Sequence, residues 1–189
     1  VDRAARIIAA CRRLRDGQFV DQFPVDLFHG GGGIGLNMNL NEVIATLAGT
    51  DVDPGDHVNL SQSTNDVCHT ATRLATHRAT GQFLDAISGL IDELGQVARR
   101  AEGVDTIART CLQDGLPVAA GVLYTALAAA LRRQLSHLRA DSAELLTVTL
   151  GGTVIGSGAG ADPRYVDKVV DLLAEVSGLP VTRASDLYD

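Results

Sequence analysis

A chain of 189 residues has room for one domain or for two small ones that share a border. Apolar residues make up 46% of it, aromatics only 4%, and Trp is absent, which favours a core of Ala, Leu, Val and Ile between long helices over an aromatic-rich β-sandwich. The net charge of −7 argues against a general nucleic-acid partner or an anionic membrane surface. An anionic ligand would have to be held by local backbone donors or by another chain's cations.

Cys11, Cys68 and Cys111 are widely spaced, without a CxxC pair, and each reads as a small buried residue in a reducing compartment. No run approaches the ~18 apolar residues of a membrane span, and the Arg-rich start lacks signal-peptide architecture. A cytoplasmic setting is the expectation. Val1 is not an initiator Met, so the natural start of the chain is left open.

In chain order, Val1–Arg15 sets Ile7, Ile8, Cys11 and Leu14 at helical spacing among arginines and closes at Asp16-Gly17. Residues 18–29 read as a packed extended stretch around Pro24, and a glycine run, Gly30–Gly33, follows. The helical period returns over Asn37–Ala48. Residues 51–62 form a connection turning at Pro54-Gly55. From Ser63 to about Ala101 the sequence lacks Pro and repeats apolar residues every three or four positions, predicting one long helix with Ser63 or Thr64 as N-cap. Gly81, Gly89 and Gly95 weaken it. An extended link is predicted over 104–116, with Pro117 in the first turn of a second long helix, Val118–Leu150. A Gly-rich loop then leads to a last helix, Pro163–Val176, capped by Asp162 and stopped by Gly178. No repeat and no clean interdomain linker is visible. Two long helices lined with small residues imply a bundle, and a chain this short leaves their seams exposed for self-association.

Three polar stretches between the helices could carry chemistry. Gly30–Asn39 leads into a helix, where glycines permit close backbone approach and free N–H groups favour an anion. It is neither a Walker loop nor a dinucleotide motif, and a flexible linker is the plain alternative. Ser61–Asp66 places hydroxyl and amide donors beside the free N–H groups of a helix start, a cradle for one carboxylate, or else a simple cap. Arg109–Asp114 precedes the second long helix and could equally be a solvated connection. His29, His57, His69, His77 and His137 have no metal-ligand spacing.

Taken together, these stretches carry a resemblance. Residues 37–44, Asn-Met-Asn-Leu-Asn-Glu-Val-Ile, resemble the NMNxNEV helix start of the fumarase/aspartase superfamily. Residues 53–66 are similar to its HPNDHVNxSQSSND segment, residues 109–114 to GRTHLQD, residues 21–26 to DQFPVD, and residues 150–158 to LGGTAVGTG. Order and spacing agree from end to end. The resemblance implies an all-α, long-helix bundle assembled as a tetramer or higher oligomer, each active site drawing on several subunits. It also implies that residues 1–62 end an N-terminal helical domain and that residues 63–189 begin the central bundle domain. The implied activity is a lyase that removes an amine or other small group from a succinate-type dicarboxylate by anti-elimination, without cofactor or metal.

By resemblance, Ser63, Thr64 and Asn65 hold one substrate carboxylate, Thr110 holds the other end, and Asn37 lines the pocket. Cys111 occupies the place of a family His or Gln, and Asp53, Pro54, Gly55 and Asp56 match a secondary carboxylate site. A thiol is a poorer base towards water than an imidazole, so hydration of fumarate is disfavoured and loss of an amine favoured. Gly32 and Ile34 replace a Ser and a Thr of the family's GSGT segment. The family's GSSxMPxKxNP loop, which carries the catalytic base and a cation, is not found in these 189 residues. The expected function is therefore part of a lyase, inactive as an isolated chain, whose loop comes from a partner chain or a further segment. The alternative is a non-catalytic helical scaffold or degenerate pseudoenzyme.

Overall fold

The structure is a computed structural model that describes residues 2–31 and 33–188. Val1 at the head of the first predicted helix, and Gly32 in the glycine run, lie outside the described residues. Five helices dominate: α1 (Asp2–Arg15), α2 (Ile34–Ala48), α3 (Thr64–Arg100), α4 (Gly121–Glu144) and α5 (Pro163–Ser177). The expected helical fold class holds. Two small strand pairs accompany them: the antiparallel hairpin β1 (Asp105–Thr110) and β2 (Gln113–Ala119), and the two-residue parallel pair β3 (Thr147–Val148) and β4 (Thr182–Arg183). The chain divides into two compact units, Val1–Arg73 with Leu146–Asp189, and Leu74–Leu145.

In the first unit, α1 packs on α2 through Ile7, which meets the buried Ala45, Ala48 and Val52. A charged clamp closes the same corner. Arg6 donates to Asp51 through Nη1 at 2.8 Å and Nη2 at 2.9 Å, and also to the Ala48 carbonyl at 2.6 Å. Arg3 adds a bond to Asp51 at 3.0 Å. Gly49 ends α2 at φ 124°, and a Cβ there would run into Arg6, so the glycine makes the clamp possible. Cys11 is exposed, contrary to the buried position its sequence suggests. The buried residue of that stripe is Ala10, and the next residue sits about 100° further round the helix.

The last helix follows its sequence signals closely. Asp162 caps α5 by accepting the Arg164 amide at 2.8 Å, and Gly178 ends it at φ 69°. Asp162 is thereby held at about 2, chiefly by the Arg164 side chain and then by its amide.

The second unit is an antiparallel helix pair with a heptad seam. The buried residues of α4 are Gly121, Ala128, Leu135 and Ser142, one every seven positions. Their counterparts on α3 keep the same interval. A Cβ on Gly121 would lie 2.7 Å from the Ala98 carbonyl oxygen; Ile91 clusters with Ala128 and Leu135, with Leu84 packed alongside; and His77 Nδ1 lies 3.1 Å from Ser142 Oγ. A strict seven-residue repeat keeps a seam facing its partner through a shallow left-handed supercoil. Helix α3 runs uninterrupted for 37 residues, about 55 Å, through all three of its weakening glycines.

Two expectations for this region fail. Residues 104–116 are not a plain extended link, and Pro117 does not open a helix: it lies in β2 opposite Ile107. A two-stranded sheet has only edge strands, so the N–H that proline lacks is not missed. Helix α4 accordingly starts at Gly121, three residues later than predicted, and ends at Glu144 because Leu146 and Val148 leave it to bond Thr182 and Ala184. Outward-facing apolar residues remain on both long helices, among them Phe83 and Leu90 on α3 and Leu123 and Leu127 on α4. Among the described residues no helix is long and apolar enough to cross a membrane.

Two measurements test this packing. Gly121→Ala should lower stability by about 1–3 kcal/mol in urea unfolding, because the backbone at Ala98 cannot yield cheaply, whereas Gly81→Ala, with open space around its Cβ, should raise it by roughly 0.5–1 kcal/mol. Equal signs for the two would contradict the seam. The clamp predicts a pH dependence. Hydrogen bonds from Arg6, and then Arg3, hold the Asp51 carboxyl well below its ordinary 3.8. A depressed carboxyl stabilises the fold above its unfolded value and loses that contribution as pH falls below it. The stability gap between wild type and Arg6→Met should therefore shrink as pH drops from about 5 to about 2.

Candidate active site

The first unit contains a cavity of about 370 Å³ where α2, the turn at 54–62 and the N-terminus of α3 meet. Its polar wall comes from three local devices. Helical spacing puts Asn37 and Asn41 on one face of α2, both buried. The connection after α2 folds into one π-type turn, Pro54–Val58, that delivers Asn59 and Gln62. The start of α3 supplies Ser63 and Thr64.

These groups are cross-bonded. Asn37 Nδ2 donates to Thr64 Oγ1 at 2.9 Å, and Asn41 Nδ2 donates to Asn59 Oδ1 at 3.1 Å. Asn59 in turn donates to the Gln62 carbonyl at 3.3 Å, and Gln62 to the Val58 carbonyl at 2.9 Å. A network tied in this way presents its donors in fixed positions, which is what a carboxylate site requires. Glu42 is the one formal charge on the lining, and no Lys or Arg belongs to it. A dianion bound here would need a cation from elsewhere. A larger cavity, about 480 Å³, lies between residues 19–24 and α2, but it faces two carboxylates, Asp21 and Glu42, and would repel a dianion.

The sequence-predicted residues fall into three places. Asn37, Ser63 and Thr64 line the cavity together, and Pro54 and Gly55 of the expected secondary site line it too. Asn65 does not line it; its Nδ2 donates to the Val154 carbonyl at 2.7 Å and fixes the Gly-rich loop that follows β3. Thr110 and Cys111 belong to the second unit, at the end of the β1–β2 hairpin. Cys111 and Leu112 are its two loop residues, both at positive φ (51° and 64°) and both exposed. Two bulky residues in that conformation are strained, as a two-residue hairpin loop prefers Asn-Gly.

The Asp53–Asp56 turn is internally satisfied. Asp53 Oδ1 accepts the amides of Gly55 at 2.7 Å and Asp56 at 2.8 Å, which hold its carboxyl below the ordinary range, the Asp56 amide most strongly. His57 Nδ1 accepts the Asp53 amide at 2.8 Å. Any outside carboxylate would compete with the chain's own for those N–H groups.

Asp66 plays a part that the sequence reading missed. It is 3% exposed and accepts three backbone amides: Ser63 at 3.1 Å, Gly151 at 3.0 Å and Thr153 at 2.9 Å. The Ser63-x-x-Asp66 spacing of a capping box announces the first of these bonds. No local signal announces the other two, which join residues more than 80 positions apart. Nearby, burial first and the Asp66 charge second push Tyr165 up to about 12. Cys68 Sγ lies 3.8 Å from the Gly33 carbonyl, and burial pushes its thiol up. Among the described residues no three His, Cys, Asp or Glu side chains converge as metal ligands.

The chain is similar to known proteins along its whole length. A family profile described as lyase matches residues 1–189. The aspartate ammonia-lyase of Pseudomonas aeruginosa is 40% identical over 199 residues, spanning 100% of this chain and 42% of its own length. That of Bacillus subtilis is 35% identical over 193 residues, spanning 97% of this chain and 41% of its own. Among solved structures, a cobalt-bound fumarate lyase/delta crystallin from Brucella melitensis superposes with a TM-score of 0.90 at 38% identity, over 99% of this chain and 43% of that one. The class II fumarase of Schistosoma mansoni shares the fold at 24% identity, TM-score 0.88, over 98% of this chain and 44% of its own.

The fold and the comparisons define a helical chain of a lyase family. The chain belongs to this lyase family and so to the fumarase/aspartase superfamily, with aspartate ammonia-lyases among its relatives. It spans about two fifths of the length of those relatives.

The keystone role of Asp66 is testable. Asp66→Ala removes the acceptor of three N–H groups. It should cost about 2–3 kcal/mol in denaturant unfolding and speed hydrogen exchange at Gly151 and Thr153. Unchanged exchange at those two amides would contradict the bridge.

Proposed function

We propose that this chain supplies one carboxylate-binding wall of a lyase that eliminates an amine from a succinate-type dicarboxylate. The observation that carries the reading is that Asn37, Ser63 and Thr64, with Asn37 bonded to Thr64, line one cavity at the N-terminus of a 37-residue helix. Asn65 supports the wall by holding the loop at Val154. Thr110, carried on the exposed hairpin, grips the other end of the substrate in an assembled site, with Cys111 beside it. The ammonia-lyase relatives favour an amine as leaving group.

Proton abstraction next to a carboxylate needs a positioned base and charge compensation for the resulting doubly charged intermediate. The cavity lining offers no cation and, apart from the Glu42 carboxylate, no base. Both come, in this reading, from a loop of the GSSxMPxKxNP type carried by a partner chain or by a further segment of the same protein. Assembly brings the parts together through the apolar faces of α3 and α4, in an oligomer built on the long helices. The boundary between an N-terminal domain and the bundle falls near residue 62, where α3 begins. The Asp53–Asp56 turn serves as a secondary carboxylate site only for a ligand able to displace Asp53 from its amides. A cytoplasmic location suits three free thiols.

The purified chain alone should not change fumarate-region absorbance with fumarate, malate or aspartate. Combined with a segment carrying the loop, it should release ammonia from an amino-substituted succinate, and Thr64→Ala should cut kcat/KM by about tenfold or more, the loss of a hydrogen bond to a charged group. Malate preferred over every amino-substituted succinate would contradict the leaving-group assignment. An unaffected Thr64→Ala would contradict the carboxylate wall. Sedimentation should show self-association at micromolar concentration, and a stable folded monomer would remove the assembly claim.

A further inference from the structure

The same cavity has a second wall of opposite character. Ile34, Met38 and Val154 line it while remaining 47%, 57% and 60% exposed. Each of these side chains gains by leaving water, at about 0.8 kcal/mol per buried CH₂ group, so something that enters the cavity and covers them is favoured.

The wall is built rather than incidental. Ile34 and Met38 stand four residues apart on α2 and so share one face of that helix. Val154 is placed by two bonds: its own carbonyl accepts Asn65 Nδ2 at 2.7 Å, and the preceding amide, Thr153, is held by Asp66 at 2.9 Å. Asn65 and Asp66 sit in the first turn of α3, directly after the donors Ser63 and Thr64. One helix start therefore fixes the polar wall and the apolar wall at once. A ligand that reaches the donors must face Ile34 and Val154.

A four-carbon diacid would use the donors and leave the apolar wall wet. A cavity of about 370 Å³ lies in the range of pockets that enclose larger organic molecules. We infer that the ligand of this pocket is a succinate-type acid bearing an apolar substituent of several carbons, and that Ile34 and Val154 select for that substituent. The inference rests on the reading of Ser63 and Thr64 as a carboxylate wall.

Calorimetric titration of the chain, combined with a segment carrying the cationic loop, with succinate, 2-ethylsuccinate, 2-butylsuccinate and 2-phenylsuccinate tests it. Affinity should rise about fourfold per added methylene until the wall is covered, and Ile34→Thr and Val154→Thr should each flatten that rise. Binding of all four acids with equal affinity, lost in Thr64→Ala, would overturn the substituent while leaving the carboxylate wall standing. A rise that persists unchanged in both Thr variants would overturn the assignment to this wall. Binding of every probe unaltered in Thr64→Ala, or no binding at all, would overturn the carboxylate wall itself and the inference with it.

Discussion

One buried carboxylate holds the candidate site together. Asp66 accepts amides from the start of its own helix and from a loop 85 and 87 residues further along the chain. A buried charge is tolerable only when it is fully hydrogen-bonded, and three backbone donors at the positive end of a helix meet that condition. The consequences spread outward. The N-terminus of α3 is fixed against the Gly-rich loop, so Ser63 and Thr64 face the cavity. Asn65, the next residue, is turned towards Val154. The loop itself contains Thr153 at φ 58°, a conformation that a β-branched residue adopts at a cost offset here by the bond from its amide to Asp66.

What was legible in the sequence had local causes. The long helix from residue 64 follows from Pro-free apolar periodicity, and α5 follows from Asp162 at one end and Gly178 at the other. The heptad seam was hidden because three of its four α4 positions are Gly121, Ala128 and Ser142, small residues that carry no hydrophobic signal. The hairpin was hidden because Cys111-Leu112 is not a turn signature and Pro117 reads as a helix starter. In the site, Ser63, Thr64 and Asn65 were legible as donors at a helix start, though Asn65 turns to Val154, and Asn37 was legible only through the family resemblance. Asn41 could have been found one helical turn beyond Asn37. Asp66 could be found only as the capping partner of Ser63, since its bonds to Gly151 and Thr153 are set by tertiary structure.

The family relationship and the pocket explain each other's gaps. The relatives are more than twice as long, and the cavity lining has donors but no cation and, apart from the Glu42 carboxylate, no base. An elimination site divided among segments would leave this pattern on one of them: a rigid receptor for one carboxylate, incomplete electrostatics, and apolar helix faces awaiting neighbours. Thr110 and Cys111 on an exposed, strained hairpin fit the same division, as groups presented outward.

The central claim is that the start of α3 receives a carboxylate between Asn37, Ser63 and Thr64. Amide chemical-shift mapping of the chain, combined with a segment carrying the cationic loop and titrated with succinate or its 2-alkyl derivatives, tests it without requiring turnover. The account predicts saturable shifts centred on Ser63, Thr64 and the Asn37 side-chain amide, with Asp56 little affected because Asp53 already occupies its N–H group. Shifts confined to the 53–56 turn, or none at residues 63 and 64 at saturating acid, would contradict it.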